Sequence, residues 1–520
     1  MNKMTIQHIK CQLILLLITM VLVSCGEQVP TDFVEAKDSL RVYPDYRGVV
    51  VPKNIAPLNF QVLNEGDAYA VSVKSDKNEV MEQVDATGKI QFDKGEWKEM
   101  LQEASSLSVE VFVRQEKKWR HYAQFDISVV PDSIDKFITF RLIEPSYENS
   151  SDIAIFQHNV EEGVMEKIVG NRYYVSDPGY RGAVCMNCHV AQSGNGENTA
   201  FQYRCNGGGM IVTYNGESKV VATKVGDMPS GAVYEKWHPT LPLIAFSNNT
   251  VRQLFPSKGI SKIEVLDFRS DILLYDVEKN TIRYVLKGEE SSETYPVWSP
   301  DGKYLYYCST DTPYVVGVAH QYEKQKYDLM RIAFENDTFG VPEMVYNASA
   351  HNHSVAKPRI SPDGRYVAMT VSKYGAYHYM HRSSDIALFD LKEQKFRLLD
   401  EVNSLSADGY VTWSSNGRWL MIGSRRDDDD HARLFFSYFD ENGVAHKPFA
   451  MPHEDPLFDA YLLKSYNCPE FNTKEVLFSE GDIYNLIAQE AVITPDTIGD
   501  FGEKSEADGV SGASVVDYRK

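Results

Sequence analysis

Five consecutive residues, Cys185-Met186-Asn187-Cys188-His189, carry the most specific chemistry in this 520-residue chain. Two thiols three positions apart, followed at once by an imidazole, form the attachment pattern of a c-type haem: the sulfurs add to the vinyl groups and the histidine ligates the iron. Both vinyl carbons sit on one edge of the ring. A short loop can offer both sulfurs to that edge while turning the next side chain to the metal. The pattern should arise by chance in roughly one in several hundred chains of this composition, which sets it above a bare Cys-x-x-Cys. The expectation is covalent haem c on Cys185 and Cys188, with His189 on the iron. Three other readings compete. A redox dithiol belongs beside a βαβ unit, and none is visible. A zinc site needs four ligands, and only Cys205 and scattered histidines are at hand. A structural disulfide rarely closes so small a loop.

The iron's other face needs an occupant, and four residues are candidates for a sixth ligand: Met210, Met228 and His238 downstream, His158 upstream. No Gly-x-Ser-x-Gly, phosphate loop or His-Glu-x-x-His occurs, so no catalytic residue is assigned. A net charge of −20 argues against nucleic acid and against electrostatic adhesion to anionic lipid. The loops His351-Asn352-His353 and Tyr377-His378-Tyr379-Met380-His381 are placed on a propeller rim, chiefly as solvent-exposed segments.

Haem is attached outside the cytoplasm, and the start of the chain points there. Lys3 and Lys10 precede an apolar run from Leu13 to Val23, the length of a signal-peptide core and too short to span a bilayer. The run ends in Leu22-Val23-Ser24-Cys25, which resembles the lipobox of bacterial lipoproteins and implies lipidation of Cys25. The mature protein would then be tethered by acyl chains in the cell envelope, on the periplasmic side of the outer membrane. Cys205, Cys308 and Cys468 remain, an odd number with no pairing legible.

The elements that must position the motif read as β structure throughout. Residues 1–25 form the signal and 26–45 a linker. Residues 46–145 hold short alternating strands, broken by one helical stretch at Trp97 to Ala104, and read as a small immunoglobulin-like β-sandwich. Residues 146–205 form a connecting segment that carries the haem motif on a loop. Residues 206–493 repeat themselves. Trp298-Ser299-Pro300-Asp301-Gly302-Lys303, Ile360-Ser361-Pro362-Asp363-Gly364-Arg365 and Trp413-Ser414-Ser415-Asn416-Gly417-Arg418 each end one strand, turn tightly and resume an apolar strand. Trp237-His238-Pro239-Thr240-Leu241 is a fourth, divergent copy, and looser turns are expected where Asp-Gly is missing. A single repeat cannot bury its own sheet face, so the units must stack into a ring. Residues 494–520 are polar and acidic and read as a disordered tail.

The Trp-Ser-Pro-Asp-Gly-Lys pattern resembles the TolB-type (PD40, WD40-like) β-propeller. With the lipobox, the sandwich, Asn54-Ile55-Ala56-Pro57-Leu58-Asn59-Phe60, Arg141 to Tyr147 and Ser465 to Phe471, the chain is similar to a group of Bacteroidetes TolB-like lipoproteins. The resemblance implies an all-β protein with a propeller of five or six blades, and a haem. It also implies a histidine where Gln202 stands, which leaves the iron open or differently ligated. Electron transfer or redox sensing is the expected function, with the propeller docking a protein partner. A non-redox scaffold or ligand binder, or a haem oxidoreductase with an open iron position, are the alternatives.

Overall fold

The computed structural model describes residues 28–145, 152–171, 185–204, 209–254, 263–288, 290–312, 321–489 and 491–501. Cys25 and Cys205 lie outside them. The chain divides into two units: Met1–Gly48, Pro57–Val129 and His453–Leu457 form one, Val49–Ala56, Val130–Pro452 and Phe458–Lys520 the other.

The smaller unit is the expected sandwich. One sheet runs Val34–Glu35, Lys118–Val130, Ser106–Gln115, Ala68–Ser75, Val80–Asp85; the other runs Val42–Tyr43, Phe60–Val62, Lys89–Ile90. Strand Ser106–Gln115 shows the cause: Leu107, Val109, Val111 and Val113 recur at period two and are all buried. The helix spans Lys94–Glu103, three residues earlier than its apolar pattern indicated, because the Asp93 side chain caps the amides of Gly95 and Glu96. Trp97, Met100 and Leu101 form its buried face, and Trp97 stacks on Phe92.

The larger unit is a six-bladed β-propeller. Blade 1 is Cys185–Ala191, Thr199–Arg204, Gly209–Tyr214, Glu217–Val221, and blade 2 is Val233–Trp237, Leu243–Ser247, Ile272–Asp276, Thr281–Leu286. Blade 3 is Ser292–Trp298, Tyr304–Thr310, Asp328–Glu335, Glu343–Tyr346, and blade 4 is Ser354–Ile360, Tyr366–Ser372, Asp385–Asp390, Lys395–Leu398. Blade 5 is Asp408–Trp413, Trp419–Ser424, Arg433–Tyr438, Phe449–Ala450. Blade 6 joins the two ends of the unit: Ser465–Asn472 is its first strand, followed outward by Phe137–Ile143, Ala154–Asn159 and Val164–Gly170. The first strands pack side by side in a closed ring, blade 6 returning onto blade 1. Apolar clusters fill the space between successive blades; Val190, Met210, Trp237, Phe246 and Tyr275, for example, meet between blades 1 and 2.

The domain boundaries therefore move. The propeller begins with Phe137–Ile143 and not near residue 206, since blade 6 needs three strands from the early chain to complete a sheet whose first strand comes late. The motif is not on a connecting loop but on the first strand of blade 1. The tail docks at its start: Asp496–Ile498 pairs in parallel with Thr281–Arg283, and Phe501 is buried against Tyr284. Residues 502–520 lie outside the described chain.

The turns show what replaces a missing Asp-Gly. In blade 3, Ser299 Oγ donates to Asp301 at 2.6 Å and accepts the Tyr304 amide at 3.0 Å, while Gly302 takes φ +70°. In blade 5, Asn416 takes the role of the aspartate with matching bonds to Ser414 and Arg418, so that turn is not looser. In blade 2 the His238 ring replaces the serine: Nδ1 accepts the amides of Thr240 and Leu241 at 3.2 and 3.0 Å.

Candidate functional site: the axis of the propeller

Each first strand carries a bulge near its start, where the ladder to the second strand slips: between Asn187 and Val190, Val233 and Lys236, Thr294 and Val297, Ala356 and Arg359, Asp408 and Tyr410, and opposite Thr139/Arg141 in blade 6. Bulges re-aim a side chain and bend the strand. Here five bulged residues take left-handed φ: Cys188 +54°, Tyr234 +59°, Tyr295 +55°, Lys357 +51° and Cys468 +49°. Each lies four residues before the residue that opens its blade's turn (Gln192, His238, Ser299, Ser361, Asn472), and Tyr410 holds the same place before Ser414. One position of the repeat thus supplies a ring of six side chains at the axis: Cys188, Tyr234, Tyr295, Lys357, Tyr410, Cys468.

The side chains in this ring meet one another. Tyr234 and Tyr295 have ring centroids 4.2 Å apart. Lys357 Nζ lies 4.2 Å from the ring centroid of Tyr410, 5.6 Å from that of Tyr377 and 6.0 Å from that of Tyr295, and donates to the Gly409 carbonyl at 3.2 Å. The Cys468 thiol is 3.1 Å from Asn467 Oδ1 and 3.7 Å from the Tyr410 hydroxyl. Burial pulls the Lys357 amine down to about 7. Two residues further along the strands comes an ion cluster: Glu470 receives Lys236 and, at 2.9 Å, Arg359. Arg359 and Lys236 hold the Glu470 carboxyl below its ordinary value although burial opposes them.

The motif is built into this wall. Cys188 is buried, its sulfur accepts the Tyr234 amide at 3.3 Å, and burial followed by the nearby Glu235 pushes its thiol well up. Cys185 is half-buried beside Arg141, whose guanidinium donates to the Met186 carbonyl at 2.8 Å and to Asn467 at 2.7 Å. Both cysteines are free thiols. His189 is 8% exposed, and the group nearest its ring for hydrogen bonding is the Thr139 backbone, which forms no well-aligned bond. Burial lowers its imidazole to about 4, so it is neutral at pH 7. A neutral imidazole directly after two reduced thiols fits the donor set of haem c in chemical type.

The residues weighed as sixth ligands lie elsewhere in the fold. Met210 and Met228 are buried in the apolar cluster between blades 1 and 2. His158 is buried on the Ala154–Asn159 strand of blade 6. His238 belongs to the blade 2 turn. Its Nδ1 accepts two amides and its Nε2 faces the Gly302 carbonyl at 3.2 Å, which leaves no lone pair for a metal. Gln202, opposite Asn187 in the ladder, donates to the buried Glu235, whose carboxyl is raised by burial to about 7. Among the described residues no group of three His, Cys, Asp or Glu is placed to hold a metal ion.

Sequence reasoning placed the Tyr377–His381 segment chiefly in solvent, and the structure reverses this. His378, Tyr379, Met380 and His381 are buried, Tyr379 against Tyr410 and Tyr377 over Lys357. His381 Nε2 reaches Glu264 at 2.8 Å, and Tyr374 donates to the same carboxylate at 3.1 Å. Loop polarity had masked an inward-facing segment. The ring of six was also missed, although counting back four residues from each turn would have found it.

No protein-family profile matches the chain, and no curated protein does. Solved structures are similar at low identity. An oligogalacturonate lyase in complex with manganese is 12% identical over 59% of this chain and 78% of its own, with a TM-score of 0.34. A GH74 enzyme of Niastella koreensis is 10% identical over 66% and 45%, TM-score 0.35. The tricorn protease is 11% identical over 77% and 43%, TM-score 0.33. The chain spans less than half of the latter two.

Proposed function

We propose that this is a haem c protein of the bacterial cell envelope, a TolB-like lipoprotein anchored through Cys25 to the outer membrane, that transfers or senses electrons. The observation that supports it is His189, a buried neutral imidazole that directly follows two free thiols. Cys185 and Cys188 would hold the porphyrin and His189 the iron, and the group when bound supplies a one-electron couple. The chain's own contribution is to keep His189 uncharged by burial and to surround it with the Arg141, Lys236 and Glu470 charges that act on its protonation. Redox function needs no general acid or base, and the propeller surface is the docking platform for a protein partner. The same iron with an open position would make the protein an oxidoreductase, which carbon monoxide binding would reveal.

One observation favours a second reading, a ligand-binding propeller without haem: Cys188 is enclosed, its sulfur engaged by the Tyr234 amide. The two are separated by expressing the full chain in a host that matures c-type cytochromes. The haem reading expects a reduced α band that survives denaturation and a porphyrin mass on the peptide containing Cys185 to His189. An unmodified peptide ends it.

A further inference from the structure

The axis of the propeller carries a charge imbalance that the haem reading does not use. Lys236 and Arg359 share the Glu470 carboxylate. Lys357, one layer away on the same strand as Arg359, has no carboxylate within ion-pairing distance among the described residues; its Nζ donates to the Gly409 carbonyl. Lys236 and Arg359 thus share one carboxylate, and the Lys357 amine has none. A buried cation without a counter-charge is costly, and Arg359 adds repulsion. The tyrosine faces around Nζ give only partial compensation, and Arg359 Nε is a further buried donor with no partner.

We propose that the axis beside Lys357 and Arg359 is a binding site for a small singly charged anion, the carboxylate of an organic ligand, with Lys357 as its counter-charge. Lys357 is well built for this. It reaches the axis from a bulge that points it inward, and no protein carboxylate competes for it. Lys236 is already paired with Glu470, which blocks the same role for it. The amine that burial holds near 7 takes up a proton as the anion arrives.

Crystals of the full chain soaked in bromide, with and without excess acetate, test this directly. Anomalous density beside Lys357 Nζ is expected, displaced by acetate. Density that acetate leaves in place shows a halide site only and overturns the carboxylate proposal. In solution, calorimetric acetate affinity should weaken about tenfold or more in Lys357→Met and stay within about threefold in Lys357→Arg. Both variants are compared with the native circular dichroism spectrum. An empty site in the bromide crystals, or equal acetate affinity in a folded Lys357→Met, overturns the proposal. Lys357 is not part of the haem motif, so a sample lacking the α band tests this site equally well.

Discussion

At the scale of single residues, the larger unit spends stability on buried polar groups near its axis. Asp267 is a clear case outside the motif. Its carboxylate accepts from Asn249 at 2.8 Å and Tyr327 at 3.2 Å, yet burial raises it to about 7 from an ordinary value of 3.8. Below 3.8 the folded and unfolded chains both hold this proton, and its contribution is fully present. As pH rises towards 7 the unfolded chain gives the proton up and the folded chain keeps it, so stability is lost. Asp267→Asn should remove a fall on the order of 3 kcal/mol between pH 4 and 7, read from urea midpoints across that range. An unchanged pH slope in the variant would place the titration elsewhere.

At the scale of elements, the turn after each first strand fixes register, and its glycine does two different jobs. Gly302 and Gly364 both have left-handed φ, +70° and +73°. A Cβ at Gly364 meets open space, whereas one at Gly302 would run into the buried His238 ring of blade 2. Gly364→Ala should therefore cost only the backbone strain, about 1–2 kcal/mol. Gly302→Ala should cost roughly 1 kcal/mol more, because His238 would have to leave its bonds to Thr240, Leu241 and Gly302. Equal denaturation midpoints for the two variants would show that His238 yields freely.

At the scale of the whole molecule, ring closure depends on one late strand. Ser465–Asn472 is the only strand of blade 6 that reaches the axis, and without it the three early strands have no place in the ring of first strands. A chain ending at Leu457 retains the sandwich segments but should lose cooperative unfolding and the near-ultraviolet signal of the packed tyrosines. A truncated chain that unfolds at the native midpoint would overturn this account of closure.

Most of the architecture was legible along the chain. Period-two alternation marked the sandwich strands, and the recurring Ser-Pro-Asp-Gly turns marked blades 3 and 4, because both are local patterns imposed by backbone geometry. Cys185, Cys188 and His189 were legible for the same reason: their spacing is local. Blade 6 was not, since its four strands come from residues 137–170 and 465–472 and only hydrogen bonding across that separation defines the sheet. Nor was the company that Cys188 keeps. Closure of the ring puts that thiol in one layer with Lys357, Cys468 and three tyrosines, residues far apart in sequence that hold the same place four residues before each blade's turn. The sequence by itself determined the repeating unit and the reactive motif; the closed ring alone decided which side chains share the axis, because burial and charge there depend on six strands meeting.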